Sequence, residues 1–217
     1  KVGLGNLYWT RGELAQAASL FKAAAEAAPA KSRERLRWIE FNIRTGALDD
    51  AKKILEETIQ EAPEFLPALI YRAEIALGEK KFDECSALIE KVLAQDAGHF
   101  EAQLLQSRLK LSQGQTAEAI KELDRLSTKY PRVARVHQLE AVAHVQNNDA
   151  VKAVTSLNQA LVLDPTLTDA SLLLAELNIR KGDTASAITA LTQLVKQMPG
   201  LKRAQYLLAA AYAARGT

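Results

Sequence analysis

From residue 171 to residue 199, apolar residues recur at three- and four-residue intervals in two runs. The first is Ser171-Leu172-Leu173-Leu174-Ala175-Glu176-Leu177-Asn178-Ile179. The second lies between Ala185 and Val195, where Ala187, Ile188, Leu191, Leu194 and Val195 share one face of a helix. Between them stands Gly182-Asp183, and glycine adopts the left-handed backbone that ends a helix at little steric cost. After them stands Pro199, which has no N–H to continue a helix and pushes its predecessor out of the α region. The pattern predicts two antiparallel helices, each with one apolar face.

That punctuation repeats. Prolines stand at 29, 63, 131, 165 and 199, spaced by 34, 68, 34 and 34 residues, with Ala97 in the skipped slot. Glycines stand at 12, 46, 114, 182 and 216, with Lys80 and Asn148 filling the two vacancies. Five residues after each interior turn slot comes a small side chain: Ala17, Ala51, Cys85, Ala119, Ala153 and Ala187. A beat of 34 without drift means one helical hairpin copied along the chain. Hairpins of this kind bury their faces only by stacking on neighbours, so the prediction is an all-α solenoid.

The small slot has a physical reason, since a large side chain at a close helix crossing forces the helices apart. The facing slot on the first helix is also mostly small: Gly5, Ala73, Ser107, Ala141, Ala175 and Ala209. Ile39 is the exception and predicts a slightly wider crossing. Gly78, Lys80 and Ala97-Gly98-His99 make residues 78–100 the expected place for any bend.

These slots, together with Leu4-Gly5-Asn6-Leu7-Tyr8 and Ala24…Pro29, resemble the tetratricopeptide repeat family over essentially the whole chain. In that reading one array spans 1–217: a partial repeat 1–31, then 32–65, 66–99, 100–133, 134–167 and 168–201, and the first helix of a seventh at 202–217. The match is weaker in the first helices of repeats three to five, where Arg72, Gln106 and Glu140 occupy a slot that is usually leucine. The resemblance implies a right-handed superhelix of hairpins whose concave groove, lined by first helices, holds a protein or peptide.

Carried over by phase, the groove positions expected to meet a partner are Asn6, Trp9, Arg33, Glu40, Arg44, Glu74, Arg108, Gln146, Glu176 and Arg180. They join an apolar floor to charges of both signs, which suits an amphipathic or extended peptide. The pairs Glu40/Arg44 and Glu176/Arg180 stand at i, i+4, so bonding along their own helix is the competing expectation. One subgroup of the family clamps a terminal carboxylate. Asn6 matches one of its asparagines, but its lysine slots hold Val2, Leu36 and Ile70 here, which disfavours that ligand.

Composition adds little. The chain is 48% hydrophobic and 25% charged, with a net charge of +2, too small to make a polyanion the default partner. The basic stretch Lys31, Arg33, Arg35, Arg37 is interrupted by Glu34, so no nucleic acid is expected. No run of 18 apolar residues predicts membrane insertion. Both ends look cut from a longer chain, so targeting signals are expected outside it, and cytoplasmic and envelope compartments stay open.

No catalytic constellation is visible. His137 and His144 lie about 10 Å apart along one helix, too far to share an ion. Cys85 sits at a tight crossing, where a thiol is inert. No phosphate loop or nucleophile elbow appears, so neither cofactor nor metal is expected. The reading is a non-catalytic interaction scaffold. Its Ala/Leu/Gln-rich style resembles long bacterial repeat proteins of envelope assembly, secretion or exopolysaccharide export. Two alternatives stay open: a regulatory module of a larger enzyme, and a homodimer through the last helix, whose Leu207, Leu208 and Ala211 would need cover.

Overall fold

The computed structural model describes residues 1–216, which form thirteen α-helices with no strand among them. Two compact units divide the chain after Leu109. The first holds α1 (Val2–Thr10), α2 (Leu14–Glu26), α3 (Arg33–Thr45), α4 (Leu48–Glu61), α5 (Leu66–Gly78), α6 (Phe82–Gln95) and most of α7 (Phe100–Ser112). The second holds α8 (Thr116–Lys129), α9 (Ala134–Gln146), α10 (Ala150–Leu163), α11 (Thr168–Lys181), α12 (Thr184–Gln197) and α13 (Lys202–Arg215).

Each hairpin closes with the same local chemistry. The backbone turns left-handed at Gly12, Gly46, Gly114 and Gly182, with φ between 77° and 85°. Lys80 (φ 59°) and Asn148 (φ 57°) take that conformation in the vacant slots, although neither is glycine. The following N–H then reaches back five residues to a carbonyl: Glu13 to Tyr8, Ala47 to Asn42, Lys81 to Ala76, Gln115 to Lys110, Asp149 to His144 and Asp183 to Asn178, all at 2.8–2.9 Å. These bonds satisfy carbonyls that the end of a helix leaves orphaned. Gly216 departs from the series. It caps α13 in the right-handed region at φ −85°, its N–H bonding Tyr212 and Ala213.

The small slot is fully buried in all six hairpins, Cys85 included. Four residues on, Phe21, Leu55, Ile89, Leu123, Leu157 and Leu191 are buried as completely. The facing slots Gly5, Ile39, Ala73, Ser107, Ala141 and Ala175 are buried too. Ala209 of α13, a helix that packs on α11 and α12, is exposed. Around residues 78–100 the helices run unbroken to their turns. Where proline is missing, Asp96 Oδ1 accepts from Gly98 N at 3.0 Å and His99 Nδ1 accepts from Ala102 N at 3.3 Å, so side chains cap the entry to α7.

Two of the polar residues in leucine slots, Arg72 and Glu140, find partners. Arg72 pairs with Glu84 of α6. The Glu140 carboxylate lies 2.9 Å from His137 Nδ1, and His137 Nε2 donates to Pro131 O at 3.0 Å. Buried polar groups are tolerated when hydrogen-bonded in this way.

Candidate functional site

In the first unit the first helices α1, α3, α5 and α7 bring their polar and aromatic side chains together. The Trp9 ring on α1 meets Phe21 and Phe41 edge-on, at centroid distances of 5.9 and 5.2 Å. Its other neighbours are cations: the Arg37 guanidinium lies 4.6 Å from the ring centroid and that of Arg44 5.9 Å. Arg37 Nε donates to Asn6 Oδ1 at 2.8 Å, and its Nη1 donates to Glu40 Oε2 at 2.6 Å. Arg44 holds the other oxygen of Glu40 at 3.2 Å. One carboxylate thus stands between two guanidinium groups, a charge-assisted arrangement that fixes all three side chains.

The cluster continues onto the next helices. Tyr71 of α5 is half-buried, and burial, followed by the charges of Glu40 and Glu74, pushes its phenol above the usual value. Glu74 lies 3.9 Å from Arg108 of α7. Asn6, Trp9, Glu40, Arg44, Glu74 and Arg108 therefore lie along one face, while Arg33 is exposed at the start of α3. Asn6 accepts from Arg37 through its carbonyl oxygen, and its amide N–H donors take no part in that bond.

In the second unit Glu176 of α11 repeats the arrangement. Arg180 holds its Oε1 at 2.9 Å, and Arg203 of α13 holds its Oε2 at 3.2 Å. Arg44 and Arg180 stand at equivalent phases of the repeat and are equally exposed, at 67%. Gln146 lies apart from this group and accepts from Thr116 at 3.3 Å.

Sequence reasoning placed Arg37 only in a basic stretch. The stretch disperses on folding: Arg35 turns to Glu61 at 3.2 Å, while Arg37 becomes the hub of the Trp9 cluster. The available signal was Glu40 three residues after Arg37. A cleft of about 500 Å³ was also not anticipated. It lies between α2 and α4 over Trp38, with Lys22, Glu26, Arg35, Lys53 and Glu57 around it. The expected apolar face of α13 is covered within the chain, since Leu207 and Ala211 are buried against α11 and α12 and Leu208 packs beside them. The large apolar side chains that α13 does expose are Tyr206 and Tyr212.

Burial pushes the Cys85 thiol up to about 11, far from thiolate reactivity. Among the described residues no group of three or more His, Cys, Asp or Glu could hold a metal ion. No described helix is long and apolar enough to cross a membrane.

The tetratricopeptide repeat model matches residues 8–69, 43–109, 76–143 and 144–211. No curated protein sequence matches the chain. Among solved structures, a tetratricopeptide repeat protein of Parabacteroides merdae is similar in fold, with a TM-score of 0.84 at 14% identity over 97% of this chain and 82% of its own. The Cut9–Hcn1 hetero-tetramer of APC/C aligns with a TM-score of 0.78 at 14% identity, covering 97% of this chain and 42% of that one. PilW, a type IV pilus biogenesis factor, aligns with a TM-score of 0.74 at 19% identity over 95% and 96% of the two chains. Matched along nearly its whole length, and closing hairpin after hairpin with one recurring turn, the chain belongs to the tetratricopeptide repeat family.

Proposed function

We propose that this protein is a non-catalytic scaffold that receives a protein or peptide partner on its first-helix face, the concave groove of the family resemblance. Tetratricopeptide repeats generally mediate protein–protein interactions, and the family is generally non-catalytic. The observation that carries the reading is the connected cluster Asn6–Arg37–Glu40–Arg44 over Trp9. It offers an aromatic surface and arginine edges already held in place, so a ligand meets groups whose ordering cost is largely met before binding. Trp and Arg are also the residues that dominate binding energy at interfaces.

Glu176, Arg180 and Arg203 supply a second such point. The likeness to a pilus biogenesis factor supports a role in bacterial envelope assembly or secretion.

The test is selection of peptides from a random library on the folded chain, followed by calorimetric titration of the best binders. Trp9→Ala and Arg44→Glu should each weaken a selected peptide by tenfold or more while leaving helicity intact. Unchanged affinity in both variants places the interface elsewhere.

A further inference from the structure

One second helix differs from the rest on the side away from its hairpin mate. On α10 the outermost stripe is Val151, Thr155, Asn158 and Val162, all exposed, with the two valines at 79% and 77%. Isolated exposed apolar residues are ordinary. What sets this stripe apart is the lack of charge at its own positions. At the corresponding repeat positions the other second helices each carry a charge: Lys22 on α2, Lys53 on α4, Glu90 on α6, Asp124 on α8 and Lys196 on α12. Lys152, which neighbours the stripe, is matched by Asp149 at 3.6 Å. Depletion of charge over an apolar-ended patch is the compositional mark of an interface core.

We infer that α10 is a self-association surface, and that a second copy of this chain occupies it by packing α10 against its own antiparallel image. The order of residues selects that occupant. The stripe spaces its members by four, three and four residues, with valine at both ends and a hydrogen-bonding side chain at both inner positions. A two-fold axis at its centre sets Val151 on the partner's Val162 at each end. The same axis sets Thr155 against the partner's Asn158. The Thr155 hydroxyl already donates to Val151 O at 3.1 Å, so its oxygen is left to accept from the asparagine amide. An uncharged surface meets its own copy without repulsion, whereas an ionic peptide finds no counter-charge on it. The contact spans about 16 Å of helix. That places it at the small end of specific interfaces, below roughly 1,200 Å², so the dimer is weak and forms at high concentration.

Sedimentation equilibrium of the whole chain over roughly 0.01–1 mM covers that regime. The expected result is a monomer–dimer equilibrium that Val162→Glu weakens at least tenfold. The double variant Val151→Lys/Val162→Glu should restore it, because each new lysine then faces the partner's new glutamate, and the restored dimer should weaken with salt. Both positions are exposed on a helix, so circular dichroism should be unchanged. A chain that stays monomeric throughout overturns the inference. So does Val162→Glu dimerising like the wild type, or a double variant that remains as monomeric as Val162→Glu. Loss of the dimer on Tyr206→Lys alone would assign association to α13 and overturn it equally.

Discussion

The backbone of Gly5 runs against the ring of Phe21 so closely that a Cβ on Gly5 would lie 2.7 Å from Phe21 Cε1. The ring has little room to yield, since it is fully buried between Trp9 and Phe41. The two positions complement one another: the only phenylalanine in its slot faces the only glycine in the opposite slot, where other hairpins set Leu or Ile against larger residues.

Gly5→Ala should therefore destabilise the chain by about 1 kcal/mol, the overpacking cost of roughly 1–3 kcal/mol outweighing the helix propensity gained. Gly5→Ala/Phe21→Leu should recover most of that loss, because it recreates the pairing of the later hairpins. Urea unfolding followed by circular dichroism measures both.

Lys80 and Asn148 hold a left-handed backbone with side chains that resist it. Replacing Lys80 by glycine should stabilise the chain by about 1 kcal/mol. Asn148→Gly should gain less, since asparagine tolerates this region better. Thermal midpoints of the two variants should rise in that order, and a fall in either would show that the side chain contributes more than its strain costs.

Acid sensitivity should have an identifiable component at Glu79. Hydrogen bonds from Lys81 and Lys52 hold its carboxyl at about 2, against an ordinary 4.5. A folded value below the unfolded one means the stabilisation is complete above about pH 4.5 and is lost as the pH falls toward 2. Glu79→Gln should accordingly be less stable than the wild type near neutrality. The difference in thermal midpoint should close between those two pH values, and a constant difference down to pH 2 would refute the assignment.

Arg37→Ala removes the bond to Asn6, one of the two cations on Glu40 and the cation over Trp9. The expected cost is roughly 1–2 kcal/mol. Arg37→Lys should recover less than half of it, because an ammonium cannot reach Asn6 and Glu40 at once through a planar fork. Chemical denaturation of the two variants distinguishes this from simple loss of charge, in which lysine would restore the wild-type value.

How far the sequence speaks for the structure depends on the range of the interaction. The hairpins were legible because their signals are local: a turn slot, a small residue five positions on, and a bulky one four further. Even Lys80 and Asn148 follow the slot rather than their own preference, since the bond from the next N–H back to Ala76 or His144 holds them there. The candidate site was legible by phase but not by contact. Phase placed Glu40 and Arg44 together on α3, yet the residue that joins them to α1 is Arg37, whose bond to Asn6 crosses 31 residues. The same holds for Arg72, which reads as a misfit in a leucine slot until Glu84 comes beside it. Where α13 directs Leu207 and Ala211 could not be judged from their spacing either, because α11 and α12 decide it.

The placement of Trp9 and Trp38, the only two tryptophans, has a practical consequence. Both contact Phe41, so indole emission reports on the opening of α1 to α3 and is blind to the unit that begins at Lys110. A melt followed by emission alone would record one end of the molecule, and its disagreement with a whole-chain signal would itself measure how independently the hairpins come apart.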